Sequence, residues 1–216
     1  MTMTDTPRQS PERQVGTIVA TRVQELYAGA TSEHPGFSAR ARANLAQLRQ
    51  LDTADPVSDV RAWNLTLSSI PGELQGAADT PNAVERAVHS ALVLYAIHAQ
   101  SAKVPAHKPK KRVGQAVREV AITQKPDDPT DAAIIARFHT CAKASSYNQL
   151  VRHLRGLITL LRSSDIALDY GLLAQDLYRA QQPDGMRIVR LRWGRSFHNI
   201  SPQQITSAES ENANVR

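Results

Sequence analysis

The chain has 216 residues, 41% hydrophobic and 21% charged, and its 26 Lys and Arg against 20 Asp and Glu leave a formal net charge of +6. That length is enough for a real core and for one to two domains. The single cysteine, Cys141, excludes an intrachain disulfide and a cysteine-based zinc site and fits a reducing, cytoplasmic setting, while the polar start Met1–Glu12 and the lack of any apolar run near the ~20 residues that span a bilayer argue against secretion and membrane insertion.

Nearly every patterned segment repeats at helical spacing, so the expected fold is all-α, with two small helical bundles joined by a basic, proline-containing loop. Ser10 and Pro11 read as N-cap and first residue of a helix whose stripe is Val15, Ile18, Val19, Leu26 and Tyr27, with Gly29 as a stop. Ser38 starts a second helix with Leu45 and Leu48 inward. A short helix around Trp63 and Leu67 ends near Pro71-Gly72, and Thr80-Pro81 opens a longer one that buries Val84, Val88, Ala91, Leu92 and Tyr95.

Residues 101–112 hold two prolines and five basic residues with no acid and cannot continue that helix. They divide the expected N-terminal bundle (1–100) from the C-terminal one (113–198). Val113, Val117 and Val120 then mark a short helix, Thr130 caps one carrying Ile134, Ile135 and Phe138, and Ser146 with Gln149 resembles a capping box. The helix that follows has the clearest stripe in the chain, Leu150, Leu154, Leu157, Ile158 and Leu161. Another helix runs from Asp169 to about Gln182. After the Pro183-Asp184-Gly185 turn, Val189, Leu191 and Trp193 alternate with Arg190 and Arg192, which reads locally as extended. Leu191, Trp193 and Phe197 are expected to pack this last element, and the polar stretch 199–216 is expected to be disordered.

No phosphate loop, His-Glu-x-x-His, Gly-x-Ser-x-Gly or acidic calcium loop occurs, and none of the seven histidines forms an i, i+4 pair, so neither catalysis, a metal nor a cofactor is expected. His98 and His139 read as surface or core-edge residues. Charge is the stronger signal. Residues 1–100 hold eight Lys and Arg against ten Asp and Glu, whereas residues 101–200 hold seventeen against eight.

Three basic clusters stand out as candidate nucleic-acid contacts. Arg40 and Arg42 fall in the expected first turn of a helix, where they oppose the macrodipole, and Arg49 extends their ridge. Lys103, Lys108, Lys110, Lys111 and Arg112 lie on the loop, and Arg118, Arg137, Lys143, Arg152 and Arg155 could form one face of the second bundle. Arg187, Arg190, Arg192 and Arg195 sit near one acid, Asp184, and read as spaced for an anionic polymer rather than for intramolecular pairing. Solvated helix faces and a solvated linker account for the same residues without a ligand. With aromatics at only 5%, base stacking fits poorly, and binding would track phosphates, blind to sequence and steeply salt-dependent.

Arg40-Ala-Arg-Ala-Asn-Leu-Ala-Gln-Leu-Arg49, Leu92-Val-Leu-Tyr-Ala-Ile-His98, Val113-Gly-Gln-Ala-Val117, Arg137-Phe-His139, His153-Leu-Arg-Gly-Leu-Ile-Thr-Leu-Leu-Arg162, the Leu168–Tyr178 helix and the Trp193-Gly-Arg-Ser-Phe197 ending follow one another in order. In that combination the stretch Ser38–His198 resembles the small subunit of the type I-E CRISPR surveillance complex, the CasB family of Cascade. The resemblance implies a non-catalytic, all-α subunit that stabilises the R-loop by holding the displaced non-target DNA strand. Its implied partners are the guide-RNA ribonucleoprotein, with its backbone and large subunits, and a second copy lying head to tail. It implies strand contacts at Arg40 or Arg42, Lys110 and its loop neighbours, Arg137, Lys143 and Arg155, and it favours a helix at Trp193. Two rival readings fit the same sequence. One is a free-standing helical transcriptional regulator, for which the 157–161 stretch looks too apolar to spare a reading face; the other is a helical adaptor whose basic loop meets an acidic protein.

Overall fold

A computed structural model of the chain describes residues 9–198; the expectation for 199–216 falls outside them. Nine α-helices occupy the described residues: α1 (Pro11–Ala30), α2 (Pro35–Leu48), α3 (Arg61–Leu65), α4 (Ala83–His98), α5 (Val113–Gln124), α6 (Ala133–Ala142), α7 (Tyr147–Ser163), α8 (Tyr170–Ala180) and α9 (Gly185–His198). Among them there is no strand, and one isolated bridge pairs His107 with Leu168.

The centre of the fold is α4. Asn82 starts it, its Oδ1 accepting from the Val84 and Glu85 amides at 2.8 and 2.9 Å while its own amide donates to Glu85 Oε2 at 2.7 Å. That reciprocal box places the helix start two residues beyond the expected Thr80-Pro81. Every residue from Ala87 to His98 is buried, because apolar side chains occupy the whole circumference rather than one stripe. α1 and α4 both pack on α8, and α4 packs on α7 as well; α5 lies on α9 and α6 on α7. The loop at 101–112 therefore separates helices in sequence, yet those before it pack directly on those after it, and one continuous apolar cluster runs from Val15 to Phe197.

Several expected boundaries move. α2 begins at Pro35 rather than Ser38. Thr130 lies in a 3-10 turn, Pro129–Asp131, and Ala132 is the residue that precedes α6. Ser146 Oγ does accept from the Gln149 amide, but Gln149 Oε1 turns to Ser145 instead of closing the box. In α1, Val23 joins the inner stripe while Tyr27 is exposed. The segment around Trp193 is helical, which removes the extended alternative, and Leu191 is exposed rather than packed.

His98 is inside the core, 2% exposed, with Nδ1 2.9 Å from the Tyr170 hydroxyl. Burial pushes its pKa down to about 4, and burial lowers that of His89 too. A ring that the fold keeps neutral takes up its proton only in the unfolded chain between pH 6.5 and 4. The His98 contribution to stability is therefore complete above pH 6.5 and falls through that window, by up to about 1.4 kcal/mol per pH unit, and His89 adds a loss of the same sign. Melting temperatures measured at pH 7, 5.5 and 4.5 should drop at each step, whereas a flat profile would mean both rings reach water.

Candidate nucleic-acid interface

α7 organises the basic surface. At 3.6 residues per turn, its apolar residues Leu150, Val151, Leu154, Leu157, Ile158 and Leu161 face the core, which leaves Arg152, Arg155 and Thr159 on the opposite, exposed side with Arg162 at its edge. That outer side is open, although within the apolar stretch 157–161 Thr159 alone is exposed. Arg155 Nη1 donates to Thr53 Oγ1 at 3.0 Å, and Arg162 Nη1 donates to the Ile97 carbonyl at 3.3 Å and to Gln100 Oε1 at 3.0 Å. Between the ends of α2 and α4 and this side of α7 opens a cleft of about 450 Å³, lined by Arg49, Gln50, Gln100, Arg155, Thr159 and Arg162.

On the other flank, Arg137 of α6 crosses α7 at Gly156, where a Cβ would stand 3.2 Å from its Nη1. Arg49, Arg162, Arg155, Arg152 and Arg137 thus form a band across three helices. None of the five is in an ion pair among the described residues, and the partners of Arg155 and Arg162 are neutral oxygens. Lys143, exposed, caps the C-terminus of α6.

The basic loop is not a free linker. The Lys108 amide donates to the Leu168 carbonyl at 3.1 Å, Leu168 N to Ala106 O at 3.0 Å, and Asp169 N to Lys111 O at 2.8 Å. Asp169 secures two elements at once, its Oδ1 capping α8 through the Leu172 amide at 3.0 Å and its Oδ2 taking the Lys110 amide at 2.6 Å. Lys110 needs that support, since its φ of 68° is left-handed. The Tyr170 amide donates to His107 Nδ1 at 3.1 Å, so the neutral ring carries its proton on Nε2.

This frame leaves Lys108 and Lys110 exposed. Lys111 pairs with Glu119 at 2.5 Å, and Arg112, half-buried at the N-cap of α5, places its charge near the buried Asp176. Asp169→Ala should therefore cost about 1–2 kcal/mol from the lost cap and the freed Lys110 amide. Amide exchange at Lys110 and Lys111 should quicken with it, and unchanged exchange there would show that the loop holds itself.

The remaining candidates sit apart. Arg40 and Arg42 are exposed on α2, but with the helix starting at Pro35 both lie beyond its first turn, so the macrodipole penalty does not apply to them. Arg42 Nε reaches the Ala30 carbonyl at 3.3 Å. Arg118 is half-buried with its guanidinium 5.5 Å from the Phe197 ring centre, and its Nε meets no acceptor among the described residues.

The arginines of α9 divide in two. Arg192 does pair within the molecule, with Glu12 at 2.6 Å and Asp176 at 3.1 Å, and Arg179 joins it on Glu12. Arg190 hydrogen-bonds the Ala142 and Ala144 carbonyls at 2.5 and 3.2 Å. Only Arg187 and Arg195 of this group are exposed without such partners.

Sequence reasoning left Arg49 outside the main candidates and passed over Arg162. Arg162 was accessible from spacing, since 152, 155, 159 and 162 follow one helical face. The place of Arg49 depends on the α2–α4–α7 packing, which no local pattern reveals. No group of three or more His, Cys, Asp or Glu among the described residues is placed to hold a metal ion, and no helix among them is long and apolar enough to cross a membrane.

The family described as CRISPR-associated protein Cse2 matches residues 44–198. The crystal structure of CasB from Thermobifida fusca superposes with a TM-score of 0.65 at 35% sequence identity, covering 85% of this chain and 97% of that one. A chain of a CRISPR RNA-guided surveillance complex superposes with a TM-score of 0.60 at 21% identity, covering 93% of this chain and 99% of that one, a likeness of fold. A search of curated proteins found no match.

Proposed function

Because the chain belongs to the CRISPR-associated Cse2, or CasB, family, we propose that it is a non-catalytic structural subunit of a type I-E RNA-guided surveillance complex, in which its basic surface holds the displaced DNA strand of the R-loop. The observation that carries the DNA-binding part is the arginine band. Five guanidiniums without carboxylate partners cross α2, α7 and α6, three of them lining one cleft. Such a surface attracts phosphates through charge, a contact that carries no sequence information, which suits a subunit of a complex where guide pairing supplies sequence. Along α7, Arg152 and Arg162 are ten residues apart, or about 15 Å of helix, long enough to meet more than one phosphate of a strand.

The regulator reading is weaker on a specific point. The two amide side chains at the start of α7 that could read adenine edges are already engaged, since Arg86 Nη2 donates to Asn148 Oδ1 at 2.6 Å and Ser145 donates to Gln149 Oε1 at 2.9 Å. In the native host the tagged chain should co-purify with a large particle containing a short repeat-derived RNA, identified by nuclease digestion and mass spectrometry. Purification as a lone protein that prefers one duplex sequence would replace this proposal with the regulator.

A further inference from the structure

We propose that an apolar patch on the connection between α2 and α3 docks a basic surface of a neighbouring protein subunit. This rests on the subunit role proposed above and deepens it by naming a contact. Val57, Val60 and Trp63 are 58, 66 and 58% exposed. The Trp63 amide bonds the Val60 carbonyl at 3.1 Å, which sets those two side chains one helical turn apart on a common face. A tryptophan flanked by valines and left in water is the composition of an interface anchor rather than of a solvated loop.

The patch is already ordered. Asp52 Oδ1 accepts from the Ala54 and Asp55 amides at 2.8 and 3.1 Å, and Asp55 Oδ1 accepts from Val57 at 3.1 Å. His89 and Ser90 of α4 hold the Asp52 and Thr53 carbonyls at 2.7 and 2.6 Å. A partner docking here would not need to freeze a mobile loop, which removes one of the main costs of association.

Charge decides the occupant. Arg61 is neutralised by Asp59 at 2.5 Å, whereas the exposed carboxylates of Asp52 and Asp55 meet no cation among the described residues. In a chain of net charge +6 this acid-rimmed apolar face repels nucleic acid and favours lysine and arginine around an apolar contact. The chain's own basic band is assigned above to the DNA strand, so the complementary surface belongs to a different protein.

The test co-expresses the tagged full chain with the other protein subunits of the host's surveillance complex and a guide RNA, comparing wild type, Trp63→Ser and the double variant Asp52→Asn/Asp55→Asn, which removes both charges and keeps the Oδ1 acceptors of the loop. Both variants should be recovered in the complex about tenfold less than wild type at 0.15 M salt, with melting temperature unchanged and single-stranded DNA binding not weakened. Carbodiimide coupling, which joins carboxylates to lysine amines, should link Asp52 or Asp55 to another subunit. Recovery of Trp63→Ser at the wild-type level, or links that run to a second copy of this chain, overturns the proposal while leaving the subunit role in place. Wild-type chain that joins no particle overturns the subunit role itself, and the docking surface with it.

Discussion

Replacing Trp193 with alanine should lower the stability of the protein by about 3–5 kcal/mol, the cost of deleting a large buried aromatic. The indole is 1% exposed, stacks 6.0 Å from the Phe138 ring and donates its Nε1–H to Asp176 Oδ2 at 2.8 Å. Alanine would leave a cavity where α5, α6, α8 and α9 converge and would take one donor from a carboxylate that is itself buried. Burial raises the pKa of Asp176, against the opposing hydrogen bonds from Trp193 and Arg192, so losing the indole donor favours its protonated form further. Trp193→Phe separates the two effects, because it keeps most of the volume and removes only the N–H. Its expected cost is about 1–3 kcal/mol. Urea unfolding of the two variants should give clearly different midpoints; equal and small losses would mean that the α5–α9 packing carries this end of the molecule without the indole. The close approach of those helices is fixed independently at Gly114, where a Cβ would collide with the Trp193 carbonyl oxygen.

The same residue shows why part of the fold was legible in sequence and part was not. On α7, five leucine and isoleucine residues recur at one helical phase, and all are fully buried, so local periodicity sufficed. On α9 the inner stripe is Val189, Trp193 and Phe197 at i, i+4 and i+8. Reading Leu191 into that set produces a false period of two. Arg190 and Arg192 also resembled an external anion site because their partners, the Ala142 and Ala144 carbonyls, Glu12 and Asp176, lie 16 to 180 positions away in sequence. The basic loop failed in the same manner. Its composition announces exposure and a break in the helix, but the bonds that shape it come from Leu168 and Asp169, about 60 residues on, and a solvated linker and a fastened loop share one composition. Family resemblance over Ser38–His198 overlaps the matched stretch 44–198 because helix order and the arginine-tryptophan ending survive where individual contacts cannot be read.

Replacing Arg49, Arg155 and Arg162 together with alanine should weaken single-stranded DNA binding about a hundredfold at 0.1 M salt. Each phosphate neutralised on a single strand contributes a slope of about −0.7 in log K against log salt, which at 0.1 M is about fivefold in affinity per contact. Three contacts then multiply to about two orders of magnitude and remove about two units of slope. Because the loss is counterion release, it should shrink as salt rises and be the same for any sequence. The fold should tolerate the change: Arg155 and Arg162 bond neutral oxygens, and none of the three neutralises a buried acid. Arg22→Ala, which removes a cation already paired with Glu25 at 2.9 Å on α1, should leave both affinity and slope almost unchanged and so separates a site effect from a change in net charge. A triple variant with wild-type slope would move the strand off this cleft and onto other exposed cations, such as Lys108 and Lys110 on the loop or Arg187 and Arg195 on α9, where the same titration can be repeated.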